Sequence, residues 1–374
     1  MLILLKSTVI REGFKMKYVK WLFAGLLFTF LGCEESSDPP KEPESTSIDV
    51  RAADVSFLPE IRNAGTQFKN AAGETKDVLV ILKEAGCNTI RLRLWHTPEG
   101  DHSTLEEVEA LATEAKNLGF DIWLSLHYSD TWADPGVQTK PEIWKDLLLS
   151  DLRDSVYNYT KKIMTLIDPK YVQIGNEINS GFLWPEGNID NRADFIQLLK
   201  EGVRAVRDAS PTSKIMMHFA GIDGANWFFN ELKTHSVDYD IIALSYYPRW
   251  HEKSLLVVKS TLAQLVNNFN KDIVLAETAY PFTLDWNDYA NNIVGLSEHL
   301  VNGYPATEKG QHDFMMHLRK IMHDTPRGLG LAYWAPEWVA YKGEQATDGS
   351  PWENMTLFDF NFQALDAMEV FKAE

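Results

Sequence analysis

The feature that most constrains this chain is an alternation. Eight short apolar runs, at 50–57, 88–95, 120–128, 170–178, 214–219, 239–247, 271–279 and 329–334, are separated by stretches with helical spacing or by long loops that lead to one. The helical stretches are 75–85, 105–118, 147–167, 193–208, 226–232, 254–269 and 310–323, with a closing helix at 363–371. In the first of them Val78, Ile81, Leu82 and Ala85 share one face, and Gly86 stands where a helix stops. Strands alternating with helices predict a parallel sheet, because each crossover needs a helix to return the chain. Eight such units in one domain over 48–374 predict an α/β chain closed into a (β/α)8 TIM barrel. A dinucleotide-binding open sheet is the competitor, but no glycine-rich fingerprint follows the first run.

The residues before the barrel read as export signals. Lys15, Lys17 and Lys20 precede an apolar run from Trp21 to Leu31, too short to span a bilayer. It ends in Phe30-Leu31-Gly32-Cys33, which resembles a bacterial lipobox with Phe in place of the usual Leu. Residues 1–33 are therefore expected to be a lipoprotein signal, with Cys33 lipidated. Residues 34–47, rich in Pro, Glu and Ser, are expected to be a disordered tether. The expected location is the outer membrane, held by a lipid anchor at the cell surface. Cys87 is the one other cysteine, at a helix-to-strand corner, and reads as a small buried hydrophobe. A net charge of -17 disfavours nucleic acid, which needs a basic surface.

Two of the apolar runs end in glutamate: Gln173-Ile174-Gly175-Asn176-Glu177 and Val274-Leu275-Ala276-Glu277. A carboxylate directly after a buried strand is costly unless it is paired or used. One such residue is most often a salt-bridged structural acid, whereas two on separate strands of a barrel meet at one rim. The other strand ends add Asp54, Arg91, Arg93, Trp95, His127, Tyr128, Asp130, Asn176, His218, Ser245, Tyr246, Tyr247, Trp334 and Glu337. Active sites of such barrels lie at this rim. Paired carboxylates with no metal suit glycoside hydrolysis, in which one acid is protonated and the other ionised. Glu177 is assigned as acid/base. Glu277 is assigned as nucleophile, kept ionised by Arg91 and by Tyr246 or Tyr247.

The motifs around these residues resemble glycoside hydrolase family 53, the arabinogalactan endo-β-1,4-galactanases of clan GH-A. The matching runs are Ala53-Asp54-Val55-Ser56, Arg91-Leu92-Arg93-Leu94-Trp95, His127-Tyr128-Ser129-Asp130-Thr131-Trp132-Ala133-Asp134-Pro135, Gly175-Asn176-Glu177-Ile178, Leu183-Trp184-Pro185, Leu244-Ser245-Tyr246-Tyr247-Pro248, Glu277-Thr278-Ala279-Tyr280-Pro281 and Tyr333-Trp334-Ala335-Pro336. The resemblance implies a retaining endo-hydrolase of β-1,4-galactan, a side chain of pectin, working through a covalent glycosyl-enzyme intermediate. It implies that Asp54, Arg91, His127, Asn176, Tyr246 and Trp334 line the subsite of cleavage, and that Asp130, Trp132 and Trp184 extend the groove. The chemistry needs no cofactor. Bacterial members often carry a structural calcium between the seventh and eighth loops, for which Asp285, Asp288, Asn292 and Asp348 offer oxygen ligands. Two alternatives stay open: another clan GH-A endo-glycanase acting on mannan or cellulose, or a surface lipoprotein that binds glycan without cutting it.

Overall fold

The strands close on themselves. In the computed structural model, which describes residues 50–373, β1 (Val50–Asp54), β2 (Thr89–Leu94), β3 (Asp121–Leu126), β4 (Tyr171–Ile174), β5 (Lys214–Ala220), β6 (Ile241–Ser245), β7 (Asp272–Thr278) and β8 (Gly328–Trp334) form a closed barrel in sequence order. Every neighbouring pair is parallel, with β8 returning to β1. Around it run α1 (Leu58–Asn63), α2 (Val78–Ala85), α3 (Leu105–Asn117), α4 (Leu149–Ile167), α5 (Arg192–Ala209), α6 (Ala225–Thr234), α7 (Leu255–Phe269) and α8 (Glu308–Asp324). The expected TIM barrel is what the chain forms. The expected signal, tether and lipidated Cys33 lie outside the described residues. Among the described residues no helix is long and apolar enough to cross a membrane.

Local chemistry sets the element ends. Asp77 caps α2 by accepting from the Leu79 amide, and Thr104 caps α3 by accepting from Glu107 N, while Glu107 Oε2 accepts from Ser103 N. Three of the differences from the expected boundaries have a visible local cause or change the element type. The first strand stops at Asp54, and Pro59 helps to start the short α1 in the loop that follows. The fourth strand stops at Ile174, because Gly175 turns to φ 83°. The closing segment is a 3₁₀ helix, Asp366–Phe371, rather than an α-helix.

The barrel interior is layered by strand alternation. A buried plug of Val50, Ala52, Trp123, Tyr171, Met216, Ile241, Ala243, Val274, Ala276 and Ala332 fills the interior. Two residues further along six of these strands stand Asp54, Ser125, Gln173, His218, Ser245 and Trp334, and all but Trp334 are buried. Successive side chains point to opposite faces of a strand, so these polar groups stack on the plug at the C-terminal end. Burial of that many polar atoms is tolerable only if they bond one another.

Candidate active site

The polar layer is organised by Arg91, which is buried at the centre of β2. Its Nε donates to Gln173 Oε1 at 2.8 Å, and Nη1 donates to Asp54 Oδ2. Nη2 donates to Asn176 Oδ1 at 3.0 Å and to Glu277 Oε1 at 2.7 Å. Asp54 is itself held by the amide and hydroxyl of Ser56, at 3.1 and 2.6 Å. A guanidinium has only donors, in a fixed fork, so it dictates which way each neighbour faces.

Two backbone irregularities aim the glutamates. After β4, Gly175 adopts φ 83°, and a Cβ there would lie 2.4 Å from Ile178 Cγ2. Glu177 follows with φ 46°, a left-handed conformation that costs a non-glycine residue about 1 kcal/mol or more. On β7 the register slips: Leu244 faces Leu275, but Ser245 faces Glu277. The extra residue is a bulge, which turns the side chain after Ala276 back toward the barrel axis. As a result a carboxylate oxygen of Glu177, a ring nitrogen of His218 and a carboxylate oxygen of Glu277 all lie within 4.8 Å of one another.

The two carboxyl groups sit in different surroundings. Glu277 is buried, with Arg91 on Oε1 and the Tyr247 hydroxyl donating to Oε2 at 3.2 Å. Burial pushes its pKa above the ordinary carboxylate value, and Arg91 and Tyr247 pull it back. Glu177 is partly exposed and accepts from Ser245 Oγ at 2.5 Å. Burial, then the neighbouring Glu277, push it up to about 8. His127 and His218 are both held well below the usual histidine range, by burial and then by adjacent positive or imidazole groups, so both are neutral.

Above the pair lies a cavity of about 470 Å³. Asp54, Arg91, His127, Trp132, Asn176, Glu177, Glu277 and Trp334 line it, as the sequence suggests. Trp132 and Trp334 stand 6.2 Å apart, centroid to centroid, on one wall, and the exposed Trp250 forms another. Flat indole faces of this kind suit the apolar face of a pyranose.

One predicted subsite contact is placed elsewhere, and two expected groove residues lie outside the central cavity. Tyr246 faces away from the cavity and donates to Glu252 O at 2.7 Å; Tyr247 takes the place expected of it. Asp130 accepts from the amides of Thr97 and Glu142, at 2.9 and 2.7 Å, and so ties the second and third loops together beside a neighbouring recess. Trp184 is half-buried, donates to Ser180 O at 3.0 Å and does not line the cavity. Glu337, also at a strand end, is buried behind the wall and accepts from Phe57 N at 3.1 Å. The sequence reading left Ser125 and Gln173 out of the site altogether, although both are buried polar residues in phase with the inward face of their strands.

The residues expected to hold calcium make protein bonds of their own. Asp288 is buried, but its oxygens accept from Ala290 N at 2.6 Å and Ser350 N at 2.8 Å. Asp348 is exposed and paired with Lys342 at 3.0 Å, and the Asn292 amide nitrogen donates to Asp285 O at 3.1 Å while its Oδ1 is buried without a protein partner. Among the described residues, the carboxylates of Asp285, Asp288 and Asp348 do not converge as a group. The seventh and eighth loops are joined by protein bonds: Ser350 N to Asp288, and the amides of Asn287 and Asp288 to Glu353 Oε1, at 2.6 and 3.3 Å.

A closed (β/α)8 barrel carrying two close carboxyl groups in unlike surroundings, under an aromatic-walled cavity, defines a glycosidase. Comparison with known proteins narrows this. Residues 50–371 match the model of glycosyl hydrolase family 53, and the chain belongs to that family. It is 34% identical over 341 residues to an arabinogalactan endo-β-1,4-galactanase of Cellvibrio japonicus, covering 86% of this chain and 90% of that one. Among solved structures it resembles the family 53 catalytic domain of Ignisphaera aggregans, with TM-score 0.84 and 37% identity over 88% of this chain and 97% of that one. A structure of fungal β-1,4-galactanases matches with TM-score 0.76 and 31% identity, covering 87% and 99%.

Proposed function

We propose that the protein is a retaining endo-hydrolase of β-1,4-galactan, the side chain of pectin, and that it is exported and held at the cell surface by lipid on Cys33. The observation that carries the mechanism is the approach of the carboxyl oxygens of Glu177 and Glu277 to within 4.8 Å. Retaining glycosidases hold the two groups about 5–5.5 Å apart, whereas inverting ones leave roughly 6.5–9.5 Å for a water. Their unequal surroundings support the division of labour. Glu277, fed by Arg91 and Tyr247, attacks the anomeric carbon. As the glycosidic bond breaks, its electron pair stays on the departing oxygen, which takes the proton of Glu177. Glu177 then removes a proton from water, whose oxygen attacks the same carbon and releases Glu277.

Asp54, His127, Asn176, Tyr247 and Trp334 are the contacts proposed around the sugar at the cleaved bond. The Asn176 amide nitrogen donates to Ala133 O at 2.9 Å, and its oxygen accepts from Arg91, so its second amide hydrogen is available to a sugar hydroxyl. Trp132 is proposed to carry the adjoining sugar. The galactan assignment draws on the activity of its galactanase relatives, and reducing-sugar release tests it. Cleavage of β-1,4-galactan, with little release from mannan or cellulose, is expected. Preference for mannan or cellulose would move the enzyme to another activity of the clan. Binding of galactan that stays full length would mark a non-catalytic protein.

A further inference from the structure

The geometry points to Ser245 and His218 as positioning residues for the Glu177 proton: Ser245 fixes which carboxyl oxygen carries it, and His218 fixes which way the serine hydroxyl turns. This rests on Glu177 being the acid/base.

The argument follows hydrogen-bond direction outward from Arg91. Its Nε can only donate, and it donates to Gln173 Oε1 at 2.8 Å. That turns the Gln173 amide nitrogen toward His218 Nδ1, 2.8 Å away. The backbone N–H of Glu177 reaches the same Nδ1 at 3.3 Å. Two donors aimed at Nδ1 make it an acceptor. His218 is neutral, so its single hydrogen stands on Nε2, 2.9 Å from Ser245 Oγ. The 3.1 Å approach of Nδ1 to Asn176 Oδ1 then joins two acceptors and supplies no bond. With its lone pair used by His218, Ser245 sends its own hydrogen to Glu177 Oε1.

Reversing the chain would place a hydrogen on Nδ1, facing the N–H groups of Gln173 and Glu177. The His218–Ser245 and Ser245–Glu177 links taken alone could run either way, but joined to Arg91 they run one way. Oε1 of Glu177 is thereby committed as an acceptor, and the acid proton belongs on Oε2. The same arrangement serves the second half of the reaction. Once Oε2 has given up its proton, the Ser245 bond to the carboxylate becomes charge-assisted and shortens the search for a productive geometry when water arrives.

Other groups also act on Glu177. Glu277 on β7 and Asp134 in the loop after β3 raise its pKa, while Arg91 on β2 and Ser245 on β6 lower it. Tyr247 just beyond β6 and His218 on β5 face it uncharged. Removing Ser245 alone therefore moves the alkaline limb of activity upward.

The test uses aryl β-1,4-galactobiosides with a dinitrophenyl leaving group, which departs without protonation, and with a phenyl group, which needs it. For Ser245→Ala, kcat/KM on the phenyl substrate is expected to fall about tenfold or more, against about twofold on the dinitrophenyl substrate. The alkaline limb moves to higher pH, and Ser245→Thr, which keeps the hydroxyl, recovers most of the loss. His218→Asn, which removes the Nε2 donor but leaves Ser245, shows the same pattern more weakly and stands in if Ser245→Ala folds poorly. An equal loss on both substrates, or an unmoved alkaline limb, overturns the proposal. Glu177→Ala is run alongside. If it too loses both substrates equally, the acid/base reading fails and takes the proposal with it. If it is selective and Ser245→Ala is not, the proposal alone fails.

Discussion

Adjacent tyrosines at the end of β6 allow a sharp comparison. Tyr247 donates to Glu277 Oε2 at 3.2 Å from inside the cavity, whereas Tyr246 donates to the Glu252 carbonyl away from it. Replacing Tyr247 by Phe removes one of the two side chains that oppose the burial of Glu277 and leaves Arg91 alone to do so. A hydrogen bond to a charged group contributes about 1.5–3 kcal/mol. Lost from the ionised form only, that moves the acid limb of kcat/KM upward by roughly one to two pH units. The same bond stabilises the carboxylate as Glu277 departs from the sugar, so kcat at the optimum is expected to fall about tenfold or more. Tyr246→Phe gives up one neutral bond, about 1 kcal/mol of stability, and leaves the pH profile unmoved. Full pH profiles of both variants on soluble galactan decide the matter. A shifted acid limb in Tyr246→Phe, or an unshifted one in Tyr247→Phe, would refute the assignment of the phenol.

Further expectations concern stability and the loops. Glu177 has a folded pKa of about 8, above its unfolded value, so the unfolded chain ionises first and stability falls as pH rises from the ordinary carboxylate range to about 8. Glu177→Gln escapes that cost: its melting temperature should match the parent near pH 4 and exceed it by several degrees above pH 8, and a gain largest at low pH would contradict the linkage. The wild-type activity profile should fall on the alkaline side with an apparent pKa near 8, read from kcat/KM. Asp288→Asn places an amide against the backbone N–H of Ala290 or Ser350 and should destabilise the fold by about 1–3 kcal/mol. A chelator, by contrast, should leave the melting temperature unchanged; a fall of several degrees would show that a metal joins these loops after all.

The barrel was legible because eight apolar runs and their crossovers leave few ways to bury both faces of a parallel sheet. Much of the site was legible through period two. On β6, Ala243 and Ser245 point inward, and the same phase selects Tyr247 over Tyr246. That rule also reaches Gln173 and His218, two residues beyond Tyr171 and Met216 in the plug. It fails at Glu277. With Val274 and Ala276 inward, strict alternation sends Glu277 outward, and only the bulge against Ser245 brings it back. A bulge depends on both neighbouring strands, so no local pattern announces it. Asp130 and Trp184, expected to extend the groove, stand outside that rule. They stand in motif runs beside the site, but backbone donors and acceptors in the loops claim their polar atoms. The calcium expectation came from resemblance, and the strand pattern says nothing of it; Asp288 there accepts from the amides of Ala290 and Ser350.

The central claim is that Glu177 and Glu277 cleave galactan by two successive displacements at one carbon. The most direct measurement is the anomeric configuration of the first product, followed by proton NMR during hydrolysis of a reduced β-1,4-galacto-oligosaccharide before mutarotation sets in. Two inversions return the β-anomer, which should accumulate first and then relax toward equilibrium. Initial appearance of the α-anomer would mean a single displacement by water, and the close carboxyl pair would not be the machinery described here.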